Sequence, residues 1–279
     1  MAEPYLASLG SGSTFAAFGR TELESLEIPL PSLAEQNRIA GKLSEALDLV
    51  ARARAAAEER LEAARALKRS LLGRVFTSPQ SERWPMHAIG DVCDIQLGKM
   101  LSPKSKTGTM AATYLRNANV QWDRFDLSDM ATMDFDDRER AKFLLKEGDL
   151  LVCEGGEPGR SAVWNAEIGP CFYQKALLRL RPRPGAADPH FLMFRLWHGS
   201  FEGEFEASHA RTTIAHLPAV RLSALKVRLP SIEVQRRIVE QSRVAFAELE
   251  RATGAAEEVQ SFVEALPAAL LRRAFRGEL

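Results

Sequence analysis

The chain repeats itself at one fixed offset, the one that carries Leu30 to Leu229. Leu30-Pro31-Ser32-Leu33 returns as Leu229-Pro230-Ser231-Ile232, and Gln36, Arg38 and Ile39 return as Gln235, Arg237 and Ile238. Leu71, Leu72, Arg74 and Phe76 return as Leu270, Leu271, Arg273 and Phe275, with no gap across the stretch. A short period would build a solenoid. A period this long brackets a different middle, residues 79–228, between two matching segments.

The matching segments read as helices. Ser32 and Glu35 form a capping box just after Pro31, which predicts a helix start there. From there to Phe76 the chain has no proline and is rich in Ala, Leu, Glu and Arg, all good helix formers. At 1.5 Å per residue the helix would reach on the order of 65 Å, long enough to need a partner along its length. In the second copy, Ala245, Leu249, Ala252, Ala256, Val259, Val263, Leu266 and Leu270 follow heptad spacing. The equivalent stripe in the first copy is Ala46, Val50, Ala53, Ala57, Arg60, Ala64, Leu67 and Leu71, interrupted only by Arg60. Two arrangements remain open: an antiparallel pair within one chain, or pairing between two chains. Pro267 predicts a kink or an early stop in the second helix.

The middle reads as mixed α and β. Val92–Ile95, Thr113–Arg116, Asp149–Cys153 and Ala176–Leu180 are expected strands, and Pro189–Glu206 carries a helical pattern of aromatics. The run Gly155-Gly156-Glu157-Pro158-Gly159-Arg160 follows a strand, but Ser161–Trp164 after it looks like another strand. A hairpin-like turn is therefore expected, not a phosphate loop opening a helix.

Composition narrows the class. The 279 residues suit one or two domains. Lys+Arg and Asp+Glu both number 37, which argues against a uniformly basic nucleic-acid coat while leaving room for a local basic face. Cys93, Cys153 and Cys171 form no metal-ligand spacing and read as reduced, structural thiols in a cytoplasmic protein; no metal site is expected. No apolar run approaches the length of a membrane span. No G-x-S-x-G, H-E-x-x-H, Asn-Pro-Pro-Tyr or Asp-Pro-Pro-Tyr occurs. Asp149 and Glu154 lack the lysine that a nuclease pair would need after Glu154. No catalytic residue is expected.

Two helical copies opening on Leu-Pro-Ser and Gln-x-Arg-Ile enclose a mixed domain that carries Lys146-Glu147-Gly148-Asp149-Leu150-Leu151-Val152. The chain closes on Ala274-Phe275-Arg276-Gly277-Glu278-Leu279. This plan resembles the specificity subunit, HsdS, of type I restriction–modification systems. The resemblance implies an α+β fold: one mixed α/β target-recognition domain flanked by two long helices that pair as an antiparallel coiled coil. The family plan has two recognition domains, and only one is complete here. Thr14, Leu23 and Leu26 match Thr213, Leu222 and Leu225, so residues 1–29 look like a remnant of a first recognition domain. The expected order is that remnant, a helical spacer at 30–78, the recognition domain at 79–228 and a second helical region at 229–279.

The resemblance also implies function. Such a subunit is non-catalytic. It reads double-stranded DNA and docks methyltransferase subunits, which carry S-adenosylmethionine and modify adenine, and a restriction subunit joins for cleavage. No cofactor is expected on this chain itself. A homodimer through the helices would supply two readers and a bipartite palindromic site. A different reading is a truncated coiled-coil protein that docks the methyltransferase without directing it. Candidate DNA contacts are Lys99, Lys104 and Lys106 after Gly98, chiefly for phosphates; Arg116, Asn117, Asn119 and Gln121 at a strand end; Arg160, Gln174 and Lys175; and His209, Arg211, Thr212 and Thr213 in a polar loop. The acidic stretch Asp123–Glu139 is expected to face away from DNA.

Overall fold

The computed structural model describes Arg20, Glu24 and residues 30–206 and 216–278, with the side chains of Lys104 and Lys106 outside that description. The sequence-predicted remnant at 1–29 thus lies almost wholly outside the described residues. Helices are α1 (Leu33–Phe76), α2 (Ile89–Val92), α3 (Asp137–Phe143), α4 (Pro189–Phe201), α5 (Ala219–Ala224) and α6 (Ile232–Phe275). Strands are β1 (Met86–Ala88), β2 (Cys93–Leu97), β3 (Ala111–Leu115), β4 (Val120–Gln121), β5 (Arg124–Phe125), β6 (Ala131–Asp134), β7 (Leu150–Cys153), β8 (Ser161–Val163), β9 (Phe172–Tyr173), β10 (Leu177–Pro182) and β11 (Lys226–Arg228). The chain divides into two compact units, Glu58–Glu257 and the remainder up to Ala57 and from Glu258.

The larger unit is built on a four-stranded antiparallel sheet, β2-β10-β7-β8. Both faces of this sheet are buried, and the period of two sorts its side chains between two cores. Leu150, Val152, Val163, Leu178 and Leu180 enter one core with the helix α4 residues Phe191, Leu192 and Phe194. Leu151, Cys153, Ala162 and Leu177 enter the other, against Leu115, Phe172 and Tyr173 of a second sheet, β6-β3-β9. That explains why the sequence here shows continuous apolar runs and little alternation.

The Lys-Glu-Gly-Asp motif is the turn that feeds β7. Gly148 sits at φ +84°, a conformation glycine adopts without a Cβ penalty. Asp149 is buried; its carboxylate accepts from Lys146 N at 2.8 Å and takes a two-pronged bond from Arg181, both arms 2.6 Å. The motif is therefore structural, which removes Asp149 from any catalytic reading.

Within the same unit, the last turns of α1 (Leu71, Leu72, Phe76) and the first turns of α6 (Ile238, Val239, Phe246) share the α4 core. Lys68 Nζ meets Glu250 at 2.9 Å. One helix ends at this core and the other begins there, so they form an antiparallel pair. The repeated motif also has a structural job. Gln36 Nε2 donates to Pro31 O at 2.7 Å and Gln235 Nε2 donates to Pro230 O at 2.8 Å, so each glutamine staples the start of its own helix. Glu35 N donates to Ser32 Oγ at 3.3 Å, the cap expected from sequence.

The seam differs from the sequence-predicted stripe. In α6 the predicted Ala245, Leu249, Ala256, Val263, Leu266 and Leu270 are covered, while Ala252 and Val259 are exposed and Thr253 and Gln260 are covered in their places. The covered face thus shifts by one residue at these two positions and keeps the predicted phase on either side. Thr253 tolerates burial because its hydroxyl donates back to Leu249 O at 3.0 Å. In α1, Leu61 and Lys68 take the places expected of Arg60 and Leu67, which are exposed. Two successive four-residue steps, Ala53 to Ala57 to Leu61, form a stutter that keeps the Arg60 charge in water. Helix α6 runs through Pro267 without an early stop.

Two smaller expectations shift. Val92 closes helix α2, and the strand begins at Cys93; Gly90 lets α2 approach α5, since a Cβ there would lie 2.2 Å from Ser223 Oγ. Helix α4 stops at Phe201, short of Glu206, because Gly203 turns the chain at φ +69°.

Candidate nucleic-acid interface

Strands β3 and β9 are parallel, pairing Leu115 with Tyr173, so the chain leaves both strands at the same end of the sheet. Arg116-Asn117 come directly after β3, and Gln174-Lys175 directly after β9. Gln174 N donates to Leu115 O at 3.1 Å. The chain at Gly98-Lys99 crosses the same end. A Cβ on Gly98 would lie 2.3 Å from Gln174 O, so only glycine allows this crossing. The β7–β8 turn completes the group: Asn117 Nδ2 donates to Gly155 O at 3.0 Å, and Glu154 N donates to Ala176 O at 3.0 Å. His216 reaches the turn through a bridge with Gly155, and its ring lies 3.7 Å from Glu154.

The fold thus gathers Lys99, Arg116, Asn117, Asn119, Gln121, Arg160, Gln174 and Lys175 at one end of the mixed α/β module. Their polar groups are not equally available. Arg116 is paired with Asp129 at 2.6 Å, and Arg160 donates to Asn117 O at 3.1 Å and to Glu157 at 3.2 Å. Gln121 Nε2 donates to Ala118 O at 2.9 Å. Gln174 and the exposed Lys175 have no side-chain bond among the described residues. Asn117 Oδ1 is shut from solvent with no hydrogen-bond partner among the described residues.

Two of the sequence-predicted contacts are corrected in character. Lys99 is not a mobile loop cation: it is buried, and its ammonium is held by Glu139 and Asp134 O at 2.5 Å each. Burial of an ammonium requires such pairing, so Lys99 ties the loop down. Asn119 is also buried. Its Oδ1 accepts from Arg116 N at 2.8 Å, and its Nδ2 donates to Asp126 O and Asp129 O. That leaves Asn119 no group for a base edge. The backbone at Lys104 and Lys106 forms a short 3-10 turn. His209, Arg211, Thr212 and Thr213 lie outside the described residues.

Two carboxylates of the acidic stretch, Asp134 and Glu139, act inward. Asp134 accepts from Thr107 Oγ1, Gly108 N and Met110 N at 2.7–2.9 Å, and these bonds hold its carboxyl below the usual carboxylate range. Asp134 and Glu139 together therefore pin both ends of the 99–110 loop. Sequence reasoning missed this clamp because its partners lie far apart along the chain. It also missed Trp122, which stacks on Trp197 at 5.1 Å and donates to Glu157 at 2.6 Å.

The glycine-rich turn joins two antiparallel strands, the hairpin geometry expected from sequence. Gly156 and Gly159 have φ +76° and +89°, and a Cβ on Gly159 would lie 2.5 Å from Phe205. Packing, not a phosphate, accounts for these glycines. All three cysteines are buried, and burial pushes their thiols up to about 12, 11 and 12 for Cys93, Cys153 and Cys171. They are inert packing groups. Among the described residues, no cluster of His, Cys, Asp and Glu could hold a metal, and no helix is long and apolar enough to cross a membrane.

Two long helices and a mixed α/β module with polar groups gathered at one end form the plan, and sequence comparison assigns its family. The chain belongs to the type I restriction modification DNA specificity domain family, whose model matches residues 81–251. It is 22% identical over 297 residues to the type I restriction enzyme EcoKI specificity subunit of Escherichia coli (strain K12). It is 24% identical over 293 residues to the type I restriction enzyme StySPI specificity subunit of Salmonella potsdam. Each alignment covers 98% of this chain and 62% of the relative, so the chain spans under two thirds of the length of these curated relatives. A solved structure on complex assembly and conformational transition of the type I R-M system shares the fold. It has a TM-score of 0.69 and 23% identity, covering 96% of this chain and 66% of that one.

Proposed function

We propose that this chain is the DNA-reading subunit of a type I restriction–modification complex. In this reading it contributes no catalytic group. It directs methyltransferase subunits, which bring S-adenosylmethionine, to adenines in a bipartite site, and a restriction subunit joins for cleavage. The complex works in the cytoplasm. Two copies joined through their helices supply the two half-site readers. The observation that carries the reading is the family match over 81–251, together with the gathering of candidate contacts at one end of that module.

Gln174 and Lys175 are the contacts favoured here, because their side chains keep unused polar groups within reach of solvent. A glutamine or asparagine amide matches the N6/N7 edge of adenine, and a lysine meets guanine or phosphate. Arg116, bonded to Asp129, and Arg160, which holds Asn117 O, then shape the surface. The complex with a methyltransferase subunit should retain specific DNA fragments more tightly than bulk DNA, with affinity falling steeply as salt rises. Gln174→Ala should cost about 1–3 kcal/mol on the specific fragment alone. Retention that is absent, or equal on every sequence, would favour instead a chain that docks the methyltransferase without directing it.

A further inference from the structure

Away from the gathered loops, the recognition unit has a second polar feature. A hollow of about 230 Å³ lies where the β1–β11 pair meets helix α4. Its apolar wall comes from Phe76 and Trp84, which pack on Phe191 at 5.3 and 6.0 Å between ring centres. Its polar wall comes from two elements. Lys226 and Arg228 are two apart on β11 and so share a face. Arg195 and His198 are three apart on α4 and share another.

The charges are unbalanced. Arg195 is neutralised by Glu204 at 2.8 Å. Arg228 donates only to the neutral carbonyl of Glu82. Lys226 is exposed, and neither it nor Arg228 has a carboxylate partner among the described residues. Burial holds the His198 imidazole below its usual value, so it is neutral near pH 7 and contributes no third charge. Two uncompensated cations beside an aromatic wall suit an oxyanion attached to an apolar group.

We infer that this hollow receives an acidic side chain, flanked by an apolar one, from the methyltransferase subunit. The inference rests on the proposed function. The shape favours a peptide over DNA. A duplex presents its phosphates on a stiff convex surface, which protruding cations meet best. A flexible peptide can place one carboxylate into a recess and lay an apolar neighbour on Trp84 and Phe76.

The test measures assembly of the full chain with its methyltransferase subunit, then DNA retention by the assembled complex at saturating subunit. Lys226→Glu should weaken assembly roughly tenfold or more, since it replaces an attraction with a repulsion. Lys226→Gln should weaken it less, and Lys226→Arg should restore it. DNA retention by each saturated complex should match wild type. Lys226 is exposed and unpaired, so all three variants should melt as wild type does. Unchanged assembly with Lys226→Glu would overturn the inference. Unchanged assembly with equally weakened retention on all DNA would overturn it in favour of a phosphate contact. A wild-type chain that fails to assemble at all would instead sink the proposed function beneath it.

Discussion

The two copies of the repeat share a sequence pattern and live in different surroundings. Leu229 is 4% exposed, whereas its counterpart Leu30 is 75% exposed. Gln235 is buried and makes two bonds, donating to Pro230 O and accepting from Asp188 N at 2.9 Å. Gln36 makes the first of these, and the described residues offer it no equivalent of the second. Asp188 caps α4 by accepting from His190 N and Phe191 N, so Gln235 ties the start of one helix to the start of another. Phe246 packs against Phe194 and Trp197 at 5.4 and 5.6 Å, while the equivalent position in the first copy is a half-covered Leu47. The repeat thus encodes a helix start in both places. Among the described residues, the second copy alone packs its helix start against the mixed α/β module.

Substitutions at equivalent positions can break that contrast. Phe246→Ala should lower unfolding free energy by about 3–5 kcal/mol, and Leu47→Ala by no more than about 2. Denaturant melts of both variants decide it, and equal losses would mean the first copy is as firmly packed as the second. The module beneath the second copy should also bring a dependence on acid. Burial, aided by the Arg243 charge on α6, pushes the His190 imidazole down to about 4 against Asp188, which pulls the other way. The unfolded chain therefore binds the extra proton between the ordinary histidine value and about 4. Stability present near pH 7 should fall as pH drops through that window, by up to roughly 3 kcal/mol. A His190→Leu variant should flatten this limb of the stability curve. A limb unchanged in the variant would assign it to other groups.

Gln235→Ala should cost roughly 1–3 kcal/mol, because it strands the Asp188 N–H and the Pro230 carbonyl in a buried setting. Gln36→Ala should cost a few tenths to about 1 kcal/mol, because water can replace the single bond at an exposed helix start. A reversed order in thermal melts would contradict the structural difference between the copies.

Much of the fold was legible in the sequence, for identifiable reasons. The helix starts followed from Ser32 and Glu35, a local cap, and the hairpin at 155–160 followed from glycines between two apolar runs. Strands β3, β7 and β10 followed from short apolar segments bounded by turns. The seam was legible at most positions, and the departures are Arg60, Leu67, Ala252 and Val259, which are exposed. There the covered neighbours include polar Thr253 and Lys68, which no apolar periodicity announces; Thr253 satisfies its own hydroxyl and Lys68 pairs with Glu250, while Arg60 reaches water. At the candidate interface, the sequence supplied residue types but not occupancy. Lys99 and Asn119 looked available because Glu139, Asp126 and Asp129 lie far from them in the chain or give no sign of pairing. Gln174 and Lys175 gain weight only once the parallel β3–β9 pair sets them beside Arg116.

The most direct test of DNA reading by this chain is a methylome. The chain would be expressed with its methyltransferase subunit in an unmethylated host, and modified adenines would be mapped by single-molecule sequencing. A single bipartite motif is expected, with palindromic halves if two copies of the chain form the reader. An unmodified genome, despite a complex that co-purifies, would contradict DNA reading and leave a chain that docks its partner without guiding it to DNA.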